Sequence, residues 1–413
     1  MIRKRSVIFG ILLGICVLLG GCRYGEYPGM EQTQEEAFSH TWKFEETEAA
    51  KTEPSDMQEA SGEEPSGGQE DPEQSGEISY YAYGTLSESE RLWYQDMEKA
   101  LVSMEEQHLS KAGLNAGMDE TDIAGIFQCL MNDHPEFFYV EGYQYTKYTR
   151  GNQTVGIVFT GNYSANNIEV ESRRTKIEEE AAKILEQAPL YGSDYEKVKY
   201  VYETLVKNTE YDLEASDNQN IYSVFVNHKS VCQGYAKATQ YLLQKMGMEC
   251  TLVQGTVDTG ESHAWNLVKV DGAYYYVDTT WGDASYRTGT GAGPQLSVNY
   301  DYLCVTTEQL LRTHTLGGEV SMPECTDSAA NYYVKEDLVL DGYDVDKLQR
   351  IFRQAQEQQK ADVTFKCVDE ACLATVKKKL LDDREIFQYL PDTEKQISYA
   401  CNDKQLSMTF WLR

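Results

Sequence analysis

The chain has 413 residues, with 67 acidic against 37 basic side chains and a formal net charge of -30. That length accommodates two or three domains, and the charge argues against nucleic acid or a bare anionic membrane as partner, since both would repel it. No phosphate-binding glycine loop, tandem repeat or zinc-type Cys/His spacing occurs, so neither a cofactor nor a metal is expected.

The chain opens with Arg3-Lys4-Arg5 and an apolar run from Val7 to Leu19, too short for a comfortable membrane span and shaped like a signal peptide. Leu19-Gly20-Gly21-Cys22 resembles a bacterial lipobox, which implies a leader over residues 1–22 and a lipid on the Cys22 sulfur. Membrane contact would then run through that N-terminal lipid only, at the outer face of the cytoplasmic membrane. Residues 23–78 carry 16 Asp and Glu against 3 Lys and Arg. They cannot bury enough apolar surface to fold and read as a disordered, self-repelling acidic linker.

Residues 79–190 read as an N-terminal α+β region. Ser87 and Glu90 form a capping box, followed by Trp93, Met97, Leu101 and Met104 on one helical face. A second helix carries Ile123, Ile126, Phe127 and Leu130 and must stop near His134-Pro135. Phe137 to Tyr148 and Val155 to Tyr163 flank Arg150-Gly151-Asn152 as a hairpin. Its tyrosines 139, 143, 145 and 148 could offer a stacking platform, although a half-buried sheet face is the commoner role. Ile168 to Ala188 reads as a charged surface helix.

Residues 191–320 hold the chemistry. Ser193 with Glu196 caps a helix whose apolar stripe is Val198, Val201, Tyr202 and Leu205. Apolar residues then recur at helical spacing from Cys232 to a stop at Gly247, so Cys232 opens a helix. The positive end of the helix dipole there favours a thiolate and lowers a thiol pKa from about 8.5 toward neutrality. Two strands follow, His263 to Val270 and Ala273 to Thr280, joined by Asp271-Gly272, the strongest short hairpin signal. A two-residue loop pairs Val270 with Ala273 and puts His263 diagonal to Asp278, about 7 to 8 Å apart on one face and within reach of an imidazole–carboxylate contact.

A thiol, an imidazole and a carboxylate so placed divide labour as nucleophile, proton carrier and orienting group. Cys232-Gln233-Gly234-Tyr235-Ala236, His263-Ala264-Trp265-Asn266 and Tyr276-Val277-Asp278-Thr279-Thr280-Trp281 resemble, in order and separation, the three motifs of the transglutaminase-like superfamily, in its extracellular bacterial branch. The resemblance spans about Ser193 to His314. It implies a papain-like core with Cys232 as nucleophile, His263 as base and Asp278 as its partner. Asn227-His228-Lys229-Ser230 departs from the smaller, glycine-containing turn expected ahead of the nucleophile. Trp265 and Trp281 are candidates for the cleft wall, and Tyr222 and Asn227 for a side-chain donor to an oxyanion.

Beyond Asp283, residues 284–295 read as a surface loop, Tyr300 to Val305 as a short strand, and Thr307 as the cap of a helix reaching His314. His314 itself reads as a surface or core histidine rather than a catalytic one. Residues 330–413 alternate strand and helix as a small α+β domain: Tyr332 to Leu340, Val345 to Gln358, Val363 to Cys367, Glu370 to Tyr389, Ile397 to Cys401 and Leu406 to Leu412. Of the ten cysteines, Cys250 is expected as a buried free thiol, with a C-terminal disulfide left open.

The expected fold class is therefore α+β, a papain-like, transglutaminase-like core between an N-terminal helical and hairpin region and a C-terminal α+β domain. The expected function is a surface-anchored thiol enzyme acting on amides of proteins or peptides, cell-wall peptide among them, through a Cys232 thioester that water or an amine resolves. The alternative is a lipoprotein that binds wall peptide or glycan without turnover.

Overall fold

The computed structural model describes residues 2–10, 79–105, 108–110, 120–150, 153–283, 298–318, 320–391 and 396–412. The acidic linker, Cys22 and the loop at residues 284–295 lie outside them. Among the described residues no helix is long and apolar enough to cross a membrane.

The first sheet belongs to the N-terminal region. Strand β1 (Ile2–Gly10) pairs antiparallel with β3 (Val140–Arg150), which pairs with β4 (Gln153–Tyr163) in the expected hairpin, and β2 (His108–Ser110) closes the other edge. Helices α1 (Tyr81–Thr85), α2 (Glu88–Ser103) and α3 (Glu120–Asp133) accompany it. The Ser87–Glu90 capping box forms, and Trp93, Met97 and Leu101 are buried as their spacing predicts. Tyr139, Tyr143 and Tyr145 are buried too, so they are core residues and no exposed stacking platform.

Helices α4 (Asn167–Glu186) and α5 (Asp194–Asn208) lead into the central unit, α5 through the Ser193–Glu196 capping box. The two-residue strands β5 (Glu210–Tyr211) and β6 (Lys229–Ser230) pair in parallel just ahead of α6 (Cys232–Lys245). Behind α6 stands an antiparallel sheet of β7 (Cys250–Val257), β8 (Ser262–Val270), β9 (Ala273–Val277) and β10 (His314–Gly317), in the order β10-β7-β8-β9. The β8–β9 register is the expected one, Val270 opposite Ala273. Asp271 and Gly272 both have positive φ, 49° and 88°, as this tight turn demands. One-turn helices α7 (Thr279–Gly282) and α8 (Thr307–Leu310) follow β9.

Two expectations fail in this stretch. Tyr300–Tyr302 is a 3-10 turn, because the Asn299 side chain accepts from Asp301 N–H, and only Val305 bridges to Tyr276. Thr306, not Thr307, caps α8 with Gln309 as its box partner, and the helix ends at Leu310, so His314 opens a strand.

The last unit begins with a third correction. Tyr332–Lys335 is a short helix, α9, because the Asn331 side chain caps it and Tyr332 stacks on Tyr300 with ring centroids 3.8 Å apart. The strand shortens to β11 (Val339–Leu340), followed by α10 (Val345–Glu357), β12 (Asp362–Cys367), α11 (Glu370–Lys377), β13 (Ser398–Asn402) and β14 (Ser407–Trp411). The sheet order is β11-β12-β14-β13, with β11 parallel to β12 and the other pairs antiparallel. This unit packs around its own apolar cluster, whereas the N-terminal region and the central unit share another. Cys250, Cys304, Cys325, Cys367, Cys372 and Cys401 are free thiols, and burial holds that of Cys250 well above its ordinary pKa.

Polar side chains stitch the shared core. The last carbonyls of α3 have no partner within the helix, and the side-chain amides of Gln240 and Gln244 on α6 reach them at Asn132 and Asp133 (2.7 and 2.8 Å). The Asp133 carboxylate accepts from the N–H groups of Ala82 and Tyr83 and from the hydroxyls of Tyr94 and Thr251. Burial nevertheless pushes its pKa up to about 6, against the opposing pull of those N–H groups. Replacing Asp133 with Ala strands four buried donors and should cost on the order of 3 kcal/mol in urea unfolding at pH 7. A raised folded pKa contributes stability that is full below the unfolded value and lost as pH rises through about 6. The gap between wild type and variant should therefore widen from pH 7 to pH 5, and a constant gap would contradict this account.

Candidate active site

Cys232 is the first residue of α6, behind the N-cap Val231, whose side chain offers no cap. It is buried against Ala236, Leu252 and Ala264, the last being the neighbour of His263. The approach to it explains the motif residues. Ser230 Oγ donates to the Asn218 carbonyl at 2.6 Å, and a Cβ on Gly234 would fall 1.9 Å from the Ser230 Oγ. Glycine is thus required where α6 passes under Ser230. Tyr235 ties the same turn to the end of α5 by donating to Thr209 O, and Asn266 Nδ2 ties β8 to α6 by donating to Ala236 O (2.7 and 3.0 Å). The departure from the family pattern also has a reason. Ser223–Asn227 is a π turn that ends in His228 at φ 56°, a non-glycine residue holding the left-handed position where glycine would be usual.

His263 and Asp278 meet as their register predicts. The imidazole Nε2 lies 2.8 Å from Asp278 Oδ2, and both residues are buried. That contact leaves Nδ1 as the nitrogen for other work. Asp278 also caps α7, its Oδ1 accepting from Trp281 N–H at 3.1 Å. Its own N–H is fixed by the Tyr302 carbonyl.

Sequence reasoning missed the second imidazole on this carboxylate. His314 Nε2 stands 3.1 Å from the same Oδ2, while Thr313 Oγ1 lies 2.9 Å from Nδ1. Burial lowers the His314 pKa against the opposing pull of Asp278, so the ring is held neutral. The neutral tautomer that fits has Nε2–H donating to Asp278 and Nδ1 accepting from the Thr313 hydroxyl. Burial alone would raise the Asp278 pKa, but the His263 and His314 interactions outweigh it and hold the carboxyl well below its ordinary range.

Trp265 and Trp281 wall these imidazoles. Trp265 stacks on His263 at 5.9 Å and meets His314 edge-on at 4.9 Å, while Trp281 lies 4.6 Å from His314 and 5.8 Å from His263. A Cβ on Gly255 would strike Trp265 Cη2 at 2.6 Å, so glycine makes room for the indole. The two oxyanion candidates stand elsewhere: the Tyr222 ring carries the Arg173 guanidinium at 5.1 Å, and Asn227 is exposed at the end of the π turn. The structure gives neither a contact with the His263–Asp278 pair.

Among the described residues, His263, Asp278 and His314 are the one group whose ligating atoms, all within 4.8 Å of one another, could share an ion. Both Nε2 atoms, however, sit at N–H···O distances from one oxygen, an arrangement that protons rather than a cation bridge.

Comparison with known proteins finds a family match over part of this region. Residues 183–279 match the model of the transglutaminase-like superfamily. They form a transglutaminase-like core. Mouse kyphoscoliosis peptidase is 29% identical over 143 residues, 31% of this chain and 21% of the relative. The human protein of that name is 26% identical over 133 residues, 28% of this chain and 20% of the relative. The chain thus spans about a fifth of the length of either. Among solved structures, a TGase shares 18% identity over 38% of this chain and 47% of its own, with a TM-score of 0.27. The periplasmic domain of TgpA from Pseudomonas aeruginosa shares 12% over 37% and 76%, with a TM-score of 0.22.

The transglutaminase-like core should carry a pH signature from His314. A depressed folded pKa contributes stability that is present above the unfolded value, near 6.5, and lost as pH falls below it. His314→Gln keeps an N–H donor for Asp278 and removes the titrating ring. Its stability deficit in urea unfolding should shrink from pH 7.5 to pH 5. A deficit that grows on acidification would mean that His314 is stabilised as the cation.

Proposed function

We propose that the transglutaminase-like core is the catalytic domain of a thiol enzyme that cleaves or transfers amide acyl groups of protein or peptide substrates. The observation that carries this reading is the buried His263–Asp278 contact at 2.8 Å, on a carboxylate immobilised by the N-terminus of α7. With Nε2–H committed to Asp278, Nδ1 of His263 is the position that takes the Cys232 thiol proton. The sulfur attacks the amide carbon, and the positive end of α6 favours its anionic form. The proton passes from His263 to the leaving amine as the C–N bond breaks, leaving a thioester. Water then gives hydrolysis, and a second amine gives acyl transfer. The relatives' name, peptidase, supports this class of chemistry.

Anchoring belongs to the same proposal. Processing before the lipobox-like Cys22 would remove β1 and leave β3 as the sheet edge, and the lipid with the acidic linker would tether the enzyme outside the cytoplasmic membrane, where protein and cell-wall peptide are its candidate substrates. Cys22→Ala should then release the protein from the membrane fraction or block its processing. Unchanged mass together with unchanged membrane retention would refute the lipid anchor.

Catalysis is tested by variants of the three residues, using amide turnover and iodoacetamide alkylation of Cys232. Cys232→Ala should abolish turnover, and His263→Ala should be nearly as damaging. Asp278→Asn should lose less than either, through the wrong histidine tautomer. Because the groups act as a unit, the Cys232/His263 double variant should be scarcely worse than either single one. If Cys232 alkylates at the same rate with and without His263, the chain binds wall peptide or glycan without turnover.

A further inference from the structure

A cavity of about 280 Å³ opens beside the first turns of α6. Gln233, which follows Cys232, lines it, as does Leu252, which packs against Cys232. Lys237 lines it from the same face of α6, one turn beyond Gln233 and about 7.5 Å along the axis from Cys232. Lys237 is 6% exposed, and among the described residues its ammonium has no hydrogen-bond or ion-pair partner. Burial pushes its pKa down to about 8, and the field of Glu136 opposes that shift. Glu136 is itself occupied by His134 Nδ1 at 2.8 Å.

A buried ammonium without a counter-ion is costly, and a carboxylate brought against it returns much of that cost through a charge-assisted hydrogen bond. The other charges around the cavity leave that role open. Asp217 is paired with Arg173 at 3.2 Å, and Glu141 is exposed to solvent. The remaining lining is rich in amides, including Gln128, Gln219 and Gln254, so neutral polar groups rather than competing charges surround the ammonium. The volume is below that of a site for a drug-sized ligand, and so suits a single residue of a longer chain.

We propose that this cavity is a substrate subsite that takes a carboxylate-bearing residue of the peptide acyl donor against Lys237. The inference rests on the catalytic reading above and names the substrate class that reading lacks: amides with an acidic residue next to the scissile bond. For a protein of strong net negative charge, one buried lysine on the helix that presents the nucleophile would select anionic peptides that the rest of the surface repels.

The test uses acetylated dipeptidyl chloromethyl ketones in matched pairs, with glutamate or glutamine at either of the two positions nearest the reactive group. Labelling of Cys232 is followed by mass. At pH 6.5 the wild type should label with a glutamate probe at least tenfold faster than with its glutamine partner. Lys237→Met should lose that preference and Lys237→Arg should keep it, both still alkylating with iodoacetamide. In the wild type the preference should decay as pH passes about 8. Asp133, Glu136, Glu141 and Asp217 carry the other charges of this region, and Lys237→Met, which keeps all four, reports their contribution to the ratio at every pH. Any change in the reactivity of Cys232 itself acts on both probes of a pair and cancels in the ratio. If Lys237→Met does not fold, this pH profile decides alone. Equal rates for each pair in the wild type, or a preference that survives Lys237→Met, overturns the proposal. Loss of iodoacetamide labelling in the wild type would instead overturn the catalytic reading.

Discussion

A single buried carboxylate sets the geometry on which the rest of this structure depends. Asp278 lies in the interior, where an isolated charge would be untenable, and it is held ionised by two imidazoles on Oδ2 and a helix N–H on Oδ1. Each donor comes from a different element: His263 from β8, His314 from β10 and Trp281 N–H from α7. Satisfying that one group therefore fixes how three elements meet at one corner of the sheet, and the aromatic rings around it keep water out. Removing one donor would leave a buried acceptor short of a partner, at a cost of about 1 to 3 kcal/mol.

Around that corner the architecture works to hold α6 still. Gln240 and Gln244 tie it to the end of α3, Asn266 to β8 and Tyr235 to the end of α5, so the helix that presents Cys232 is fixed to three elements. The C-terminal unit reinforces the far side. Asp301, in the 3-10 turn Tyr300–Tyr302, accepts from Tyr333, Asn402 and Ser407 (2.9, 2.8 and 2.9 Å). Its docking therefore supports the segment whose Tyr302 carbonyl holds the Asp278 N–H.

The parts of the site legible in the sequence were those governed by local rules. Asp271-Gly272 dictates a two-residue turn, the turn dictates the register, and the register brings His263 to Asp278. The helix opening at Cys232 followed from apolar spacing alone. His314 was not legible, because it reaches Asp278 from 36 residues away in the chain, and no periodicity encodes that approach. Lys237 carries no signal in the sequence, because its burial follows only from the packing of α6 on nearly every side. Tyr332 to Leu340 was misread for a different reason: aromatic and β-branched content suggests a strand, but a cap at Asn331 and stacking on Tyr300 overrule propensity.

The central claim is that Cys232 becomes an acyl carrier, and the most direct measurement is the intact mass of the protein acid-quenched during turnover of a peptide amide. The account predicts a mass gain equal to the acyl group, confined to the peptide containing Cys232 and removed by neutral hydroxylamine, as a thioester requires. Turnover with no adduct on Cys232, or an adduct on another residue, would contradict it.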